Sequence, residues 1–141
     1  NWNYMLPELI YGYEGVDGVK TGSTELAGYS FTGTAQRDGI RFLTVVMKTV
    51  SISSRFAETR KLMDYGFSNF KKVEIALAGF QLKDRAELPV TGGNRLRVGV
   101  EAAKPLTALV KRGEEGLYQP VYLLDQSLLN KKGALVAPLA K

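Results

Sequence analysis

The sequence predicts an α+β fold, and three features of its 141 residues indicate this class. Two strand-like segments, 29–36 and 41–49, are separated by a short turn. A stretch in which apolar residues recur at helical spacing follows at 55–70. From there to the end of the chain, short strand-like segments alternate with turn residues.

The composition is that of a folded protein, with 45% hydrophobic and 10% aromatic residues. A chain of this length buries about 68–70% of its unfolded surface. Its 19 basic and 14 acidic residues give a net charge of +5, and the basic residues are dispersed. A solvated surface is therefore favoured over a nucleic-acid site. The longest apolar stretch, 42–47, is far shorter than the about 20 residues that cross a membrane.

The chain has no His and no Cys. Zinc sites of the Cys/His type and a Ser-His-Asp triad are therefore excluded from it. It has no paired carboxylates, no P-loop and no dinucleotide fingerprint, so we predict no cofactor and no metal site. The first residue is Asn1 and no signal-peptide pattern is visible, so we expect the chain to lie inside a longer gene product.

The first half is predicted element by element. Residues 1–14 are rich in aromatics around Pro7 and predict an irregular lead-in that needs a surface to cover it. A strand follows at 16–24, opened by Asp17-Gly18 as a turn. Asp38-Gly39 is a strong hairpin signal between the next two strands. The second of these, 41–49, is almost entirely apolar and predicts a central strand covered on both faces.

The helix is predicted at 55–70, with Ser53 or Ser54 as its N-cap. One apolar stripe faces the core, with Leu62 and Gly66 beside it. The opposite face, with Arg60, Lys61 and Asp64, is predicted to face water. The stripe consists of Phe56, Met63, Phe67 and Phe70.

The second half predicts a β-sandwich or small barrel, because short strands recur at regular spacing. We place a domain boundary near residues 70–73. The predicted domains are therefore 1–70 and 71–141, and we expect the second to be incomplete. The predicted strands are 73–78, 85–89, 95–100, 106–111, 121–124 and 135–138.

The first candidate site is Lys20-Thr21-Gly22, an ammonium, a hydroxyl and an unshielded backbone on one strand. Alternation places Lys20 and Gly22 on one face and Thr21 on the other. If this strand is a sheet edge, its backbone can pair with an extended peptide. The N–H of Ser23 can then form half of an oxyanion hole. The alternative is a surface lysine beside a turn.

Arg55 is the second candidate. It is predicted to open the helix, where the dipole disfavours a cation by about 0.3–1 kcal/mol. A cation held at this end suits an anionic ligand. A solvated arginine is an equal alternative.

Residues 15–24, with Ala27-Gly28-Tyr29 and Gly33-Thr34-Ala35 after them, resemble the low-molecular-mass penicillin-binding proteins that act as serine-type D-alanyl-D-alanine carboxypeptidases. The resemblance covers 1–70 well, and 71–141 look like the family's β-rich C-terminal domain. It implies a partial β-lactamase/transpeptidase-like α/β sheet segment followed by a small β-sandwich-like domain. Further matches are Asn1-Trp2-Asn3, Leu6, the strand 41–47, Arg55, Glu58, Lys61, Leu62, Gly66 and Phe67.

The resemblance also implies roles. Lys20, Thr21 and Gly22 correspond to the family's substrate-binding triplet, which holds the terminal carboxylate of a D-Ala-D-Ala stem peptide. Ser23 corresponds to the position whose N–H completes the oxyanion hole, and Arg55 to an arginine that holds the same carboxylate. The implied partners are this peptidoglycan peptide and β-lactam antibiotics. The implied location is the outer face of the cytoplasmic membrane, with the anchor outside this chain.

The family's Ser-x-x-Lys and Ser-x-Asn motifs, which carry the nucleophile and aid proton transfer, are predicted to be absent from this chain. We expect them upstream of Asn1, on a missing half of the catalytic domain. The chain alone is then expected to be inactive, to expose apolar surface and to form a homodimer. A non-catalytic β-rich spacer or interaction module and a β-lactamase relative are the alternatives.

Overall fold

The computed structural model describes residues 2–83, 86–121 and 123, and the backbone of 135–136. The chain divides into two compact units. Unit 1 consists of Asn1–Lys72 and Leu109–Glu115, and unit 2 of Val73–Ala108 and Gly116–Lys141. The mixture of one long helix with several small sheets confirms the α+β class. The assignment of 1–70 and 71–141 as separate domains stays a prediction.

Unit 1 contains a three-stranded antiparallel sheet in the order β1-β2-β3. Its strands are β1 (Val16–Thr24), β2 (Gly28–Arg37) and β3 (Ile40–Thr49). Between β2 and β3, Asp38 and Gly39 have φ values of 50° and 72°. Two central residues with positive φ make the tight hairpin turn that matches strand twist. The hairpin predicted from Asp38-Gly39 is therefore confirmed.

Strand β3 is not the central strand that its apolar sequence predicts. Among the described strands its only neighbour is β2, so it forms one edge of the sheet. Leu43, Val45 and Met47 are 63%, 53% and 73% exposed. Leu43 and Val45 pair with Thr34 and Thr32, which lie on the face away from the buried Phe31, so the helix covers only the other face. Unit 1 thus exposes apolar surface, and dimerisation through it stays a prediction.

Helix α1 spans Ile52–Asn69, so it begins three residues before the predicted start. The N-cap is Ser51, not Ser53 or Ser54. The backbone N–H of Ser54 donates to Ser51 Oγ at 3.0 Å, and the N–H of Ser51 donates to Ser54 Oγ at 2.9 Å. This reciprocal pair is a capping box in which a serine takes the place of the usual Glu or Gln. Arg55 is consequently the fourth helical residue, not the first.

The core of unit 1 is centred on Phe56, which is 1% exposed. The centroid of its ring lies 5.2 Å from that of Phe31 in β2 and 5.2 Å from that of Tyr11 in the lead-in. The lead-in thus covers the core with its own aromatics. Leu62, predicted beside the apolar stripe, is 48% exposed and is therefore not part of the core. The buried residues are Met5, Tyr13, Val16, Phe31, Ala35, Phe56 and Met63.

Tyr13 links the lead-in to α1 through a side-chain hydrogen bond. Its hydroxyl donates to Asp64 Oδ1 at 2.7 Å, and the guanidinium of Arg37 lies 4.2 Å from the centre of its ring. Burial, together with this hydrogen bond, raises the pKa of Tyr13 to about 12. Asp64, predicted only to face water, therefore has a structural partner.

The remaining strands form two small sheets. Strand β4 (Phe70–Ala76) pairs with β7 (Leu106–Lys111). Strand β5 (Glu87–Thr91) lies between β6 (Arg97–Gly99) and β8 (Leu135–Val136). The β-rich character is confirmed, while a sandwich arrangement stays a prediction.

Parts of the strand predictions lie outside the described residues. This applies to residues 122 and 124 of the strand predicted at 121–124, in which Val121 and Leu123 are not in a strand. It also applies to residue 85 and to residues 137–138, which belong to two other predicted strands. No helix in the described part of the chain has the length and apolarity that crossing a bilayer requires.

Candidate functional site

A pocket of about 350 Å³ lies at the edge of the unit 1 sheet that β1 forms. It contains every site residue that the sequence predicts, although Arg55 is 35 positions from Lys20 in the chain. The structure therefore brings the two cationic residues to one pocket, and their roles stay a prediction. The lining residues are Trp2, Lys20, Thr21, Gly22, Ser23, Tyr29, Ile52 and Arg55.

Arg55 is the unusual group in this pocket. It is only 4% exposed, and no atom of the described residues accepts a hydrogen bond from its Nε. Its guanidinium carbon lies 4.7 Å from the centre of the Phe56 ring and 5.8 Å from that of Tyr29. Burial lowers the pKa of Arg55, but an arginine keeps its charge in proteins.

A buried charge without a partner is costly, and a buried donor without an acceptor requires an explanation. None of the ion pairs within the described residues includes Arg55. An anion that enters the pocket would supply a counter-charge for the Arg55 guanidinium. Burial of this charge favours an anionic ligand more than the helix dipole does, because the dipole effect falls off within the first turn.

Strand β1 presents its backbone to the same pocket. In the described structure β1 has only β2 as a neighbour, so its outer side is a free edge. A Cβ built at Gly22 would meet no atom within 4 Å, which shows that the space beside this residue is open. The ammonium of Lys20 donates to the carbonyl oxygen of Thr21 at 2.8 Å, which leaves two of its three hydrogens for other acceptors.

A polar cluster on the exposed face of the sheet fixes β1 three residues before Lys20. Arg41 Nη1 and Nη2 donate to the two carboxylate oxygens of Asp17 at 2.8 and 2.7 Å. Thr34 Oγ1 donates to Asp17 Oδ1 at 2.6 Å. Because these residues belong to β1, β2 and β3, the cluster joins all three strands. The assignment of Asp17 to a turn is therefore wrong, since it is a strand residue with its own partners.

We expect Arg41→Gln to raise the pKa of Asp17 towards the about 3.9 of a free aspartate. Hydrogen bonds from Arg41, and then from Thr34, hold the pKa of Asp17 well below its usual range. A carboxyl whose pKa is depressed on folding stabilises the protein above its unfolded pKa, and this contribution is lost as the pH falls. As the pH falls from about 6 to about 3, the free energy of unfolding should therefore decrease less in the variant than in the wild type.

The measurement is carbon NMR titration of the Asp17 carboxyl, together with urea unfolding across the same pH range. Arg112→Gln is the matched control, because Arg112 is exposed and is in no ion pair among the described residues. An unchanged Asp17 pKa in Arg41→Gln would show that the cluster does not act as described.

The prediction that the chain lacks the Ser-x-x-Lys spacing is wrong, because Ser68 and Lys71 have it. Ser68 is exposed in the last turn of α1 and Lys71 lies in β4. Lys71 Nζ pairs with Glu115 Oε1 at 2.6 Å, and neither Ser68 nor Lys71 lines the pocket. This pair is therefore not a nucleophile with its base.

Three lining residues were not predicted as part of a site. Trp2 is 69% exposed, and its ring lies 6.3 Å from that of Tyr4. It reaches the pocket only because the lead-in folds back over α1. Ile52 is three positions before Arg55, so helical spacing would have found it once the helix start was known. Tyr29 is the second residue of β2, just after the turn that joins β1 to β2.

Comparison with known proteins identifies the family. Residues 1–51 match the family model described as D-alanyl-D-alanine carboxypeptidase. The D-alanyl-D-alanine carboxypeptidase DacA of Escherichia coli strain K12 is 32% identical over 126 residues, which cover 89% of this chain and 29% of that protein. The chain thus spans less than a third of the length of the curated relatives it matches.

Solved structures agree with this match. Penicillin binding protein 5 from Haemophilus influenzae is 31% identical, with a TM-score of 0.63 over 91% of this chain and 35% of that chain. A peptidoglycan synthesis regulatory factor (PBP3) from Streptococcus pneumoniae is 34% identical, with a TM-score of 0.69 over 79% of this chain and 32% of that chain. The fold and the open β1 edge thus define a penicillin-binding-protein type of domain. The chain belongs to the D-alanyl-D-alanine carboxypeptidase family of low-molecular-mass penicillin-binding proteins.

Proposed function

We propose that the chain supplies the carboxylate-binding part of a serine-type D-alanyl-D-alanine carboxypeptidase. Such an enzyme removes the terminal D-alanine of peptidoglycan stem peptides by acylation of a serine and hydrolysis of the acyl-enzyme. The observation that carries the proposal is the buried, unpartnered Nε of Arg55 in the pocket that Lys20, Thr21 and Ser23 also line. Membership of the carboxypeptidase family supports it.

The pocket can bind a peptide carboxylate by ordinary chemistry. The guanidinium of Arg55 and the hydroxyl of Thr21 are donors, and charge-assisted bonds to a carboxylate are among the strongest in proteins. Lys20 adds a second positive charge. The free edge of β1 can pair with an extended peptide backbone, as in strand addition.

The order of groups along β1 fits the end of such a peptide. The carboxylate partner Thr21 comes first and the proposed oxyanion donor, the N–H of Ser23, comes two residues later. A peptide running antiparallel to β1 presents its terminal carboxylate and then its scissile carbonyl in the same order. A β-lactam carries a carboxylate next to its reactive carbonyl, so the same pocket suits these antibiotics. We place the parent protein at the extracytoplasmic side of the cell envelope, where its substrate lies.

The test is isothermal calorimetry of the full 141-residue chain with an N-acetylated peptide that ends in D-Ala-D-Ala, compared with the same peptide amidated at its C-terminus. A hydrogen bond to a charged group contributes about 1.5–3 kcal/mol, which corresponds to roughly 10- to 100-fold in affinity. We expect the free acid to bind more tightly than the amide by about this factor. Equal affinities would contradict the proposal.

Labelling by a fluorescent penicillin provides a second test of the proposal with the same chain. We expect no covalent labelling that survives denaturation, because no serine in the pocket is paired with a base among the described residues. Ser23 is proposed to act through its backbone N–H. Stoichiometric labelling would show that a nucleophile is present in this chain and would overturn the assignment of roles.

A further inference from the structure

Two aromatic rings lie next to the guanidinium of Arg55. This guanidinium is in no ion pair with a residue that the structure describes, and its Nε has no acceptor there. Its carbon lies 4.7 Å from the centre of the Phe56 ring and 5.8 Å from that of the Tyr29 ring. Both distances are within the about 6 Å over which a ring face attracts a cation. Phe56 and Tyr29 are thus in position to orient the charge.

The two rings differ in their surroundings. Phe56 is 1% exposed, belongs to the core of unit 1 and does not line the pocket. Tyr29 is half-buried and lines the pocket together with Lys20 and Thr21. Of the two aromatic neighbours of Arg55, Tyr29 is therefore the one whose ring also borders the space for a ligand.

The alternation of strand β2 brings Tyr29 to Arg55. Tyr29 and Phe31 are two positions apart, and the β1–β2 pairing is regular across both, so their side chains lie on one face. On this face the ring of Phe31 packs edge-on against Phe56, with centroids 5.2 Å apart. Arg55 directly precedes Phe56 in α1. The helix-facing side of β2 thus passes from the core at Phe31 to the pocket at Tyr29.

Backbone contacts on both sides fix the position of Tyr29. It pairs with Ser23 in β1 and with Thr49 in β3. The hydroxyl of Thr49 lies 3.0 Å from the carbonyl oxygen of Tyr29 and 3.2 Å from that of Ser51, so these two oxygens share its hydrogen. Because Ser51 is the N-cap of α1, this hydroxyl joins the start of β2 to the start of the helix that carries Arg55.

An arginine that is already oriented binds a carboxylate more tightly than a mobile one, because ordering a long side chain on binding costs affinity. We propose that Tyr29 is a positioning residue of the pocket, whose ring face keeps the guanidinium of Arg55 in place to receive the peptide carboxylate. Tyr29 acts through Arg55 and not through a hydrogen bond of its own to the ligand. This inference rests on the proposed function, since it assigns a role within the same site.

The first experiment is calorimetry of the 141-residue chain with the N-acetylated peptide that ends in D-Ala-D-Ala. Tyr29→Leu removes the ring, and we expect binding to weaken by about 3- to 10-fold, the cost of ordering one long side chain. Tyr29→Phe keeps the ring face and should restore most of the affinity. Tyr65→Leu is the matched control, because Tyr65 is 60% exposed on α1 and does not line the pocket. It should bind like the wild type.

Two further measurements separate positioning from direct contact and from a structural role. In the Arg55→Met background, Tyr29→Leu should cause no additional loss of affinity, because a residue that acts through Arg55 has no effect without it. In the free chain, nitrogen–proton NMR should show faster exchange of the Arg55 Nε–H with water in Tyr29→Leu than in the wild type or Tyr29→Phe. If Tyr29→Leu does not fold, Tyr29→Met repeats the test with a longer side chain that also lacks a ring.

The outcomes distinguish this inference from the proposed function. If Tyr29→Leu binds like the wild type, or if Tyr29→Phe loses as much affinity as Tyr29→Leu, the positioning role is overturned while the proposed function stands. A loss of the same size in the Arg55→Met background would show that Tyr29 contacts the peptide itself, which also overturns it. If the wild-type chain binds no peptide carboxylate, the proposed function fails and this inference fails with it.

Discussion

Arg55→Met is expected to weaken the binding of a D-Ala-D-Ala peptide by roughly 10- to 100-fold, because it removes a charge-assisted hydrogen bond to the carboxylate. The same variant should not lower the melting temperature of the free chain. Arg55 is 4% exposed, and its Nε has no partner in the described structure, so it adds an uncompensated buried charge. Replacing such a charge by an apolar side chain of similar length is often neutral or stabilising.

Lys61→Met is the matched control for this variant. It removes one positive charge from the same helix, but Lys61 is exposed and pairs with Glu58 at 2.7 Å, away from the pocket. Calorimetry should show unchanged binding for Lys61→Met. A large loss of stability in Arg55→Met with unchanged affinity would mean that Arg55 supports the fold and does not hold a ligand.

Phe56→Ala is expected to have the largest effect on stability, a loss of about 3–5 kcal/mol in the free energy of unfolding. The Phe56 ring contacts aromatic rings from both the lead-in and β2, so its removal leaves a cavity where three segments meet. Marginal domains have only about 5–15 kcal/mol of total stability, so the variant should be partly unfolded at 37 °C. Urea unfolding followed by circular dichroism and by the fluorescence of Trp2, the single tryptophan, measures the effect.

Leu62→Ala, on the same helix, is the control for the core. Leu62 is 48% exposed, so its truncation should cost less than about 1 kcal/mol, as expected for a surface position. Equal losses in the two variants would contradict the position of the core between α1, the sheet and the lead-in.

Local signals predicted the elements of unit 1 well. Asp38-Gly39 specifies its turn because both residues adopt positive φ there. In β2 every second residue is buried, with Phe31 and Ala35 on the side that packs on α1. Strand β3 was predicted wrongly because its sequence is apolar on both faces. Such a pattern indicates a strand that is buried on both faces in a larger sheet. Within the described residues only one face of β3 is covered.

The ends of elements and the polar contacts could not be predicted in the same way. The capping box at Ser51 uses Ser54 in place of the usual Glu or Gln. Without that Glu or Gln signal, the sequence does not distinguish Ser51 from Ser53 and Ser54 as the N-cap. Asp17 precedes a glycine, which is a turn signal, but its partners Thr34 and Arg41 are distant in sequence. Tertiary contacts of this kind override local preference.

The grouping of the pocket residues in one site was predicted by the family resemblance more than by the spacing of residues in the sequence. Nothing in the spacing of Lys20 and Arg55 indicates that they meet, since they belong to β1 and α1. The sequence predicts Arg55 at the start of the helix, but Arg55 is the fourth helical residue. What the structure adds is the burial of its guanidinium without an acceptor, which no sequence pattern reports.

The central claim is that the guanidinium of Arg55 binds the carboxylate of a peptide at the β1 edge. Nitrogen–proton NMR of the arginine side chains tests it directly, with Arg37 as an internal reference because its Nε already donates to the carbonyl oxygen of Glu14 at 2.9 Å. On addition of the N-acetylated D-Ala-D-Ala peptide, we predict a saturable downfield shift of the Arg55 Nε–H resonance and none for Arg37. Binding that leaves the Arg55 resonance unmoved, or an equal shift with the amidated peptide, would contradict the account.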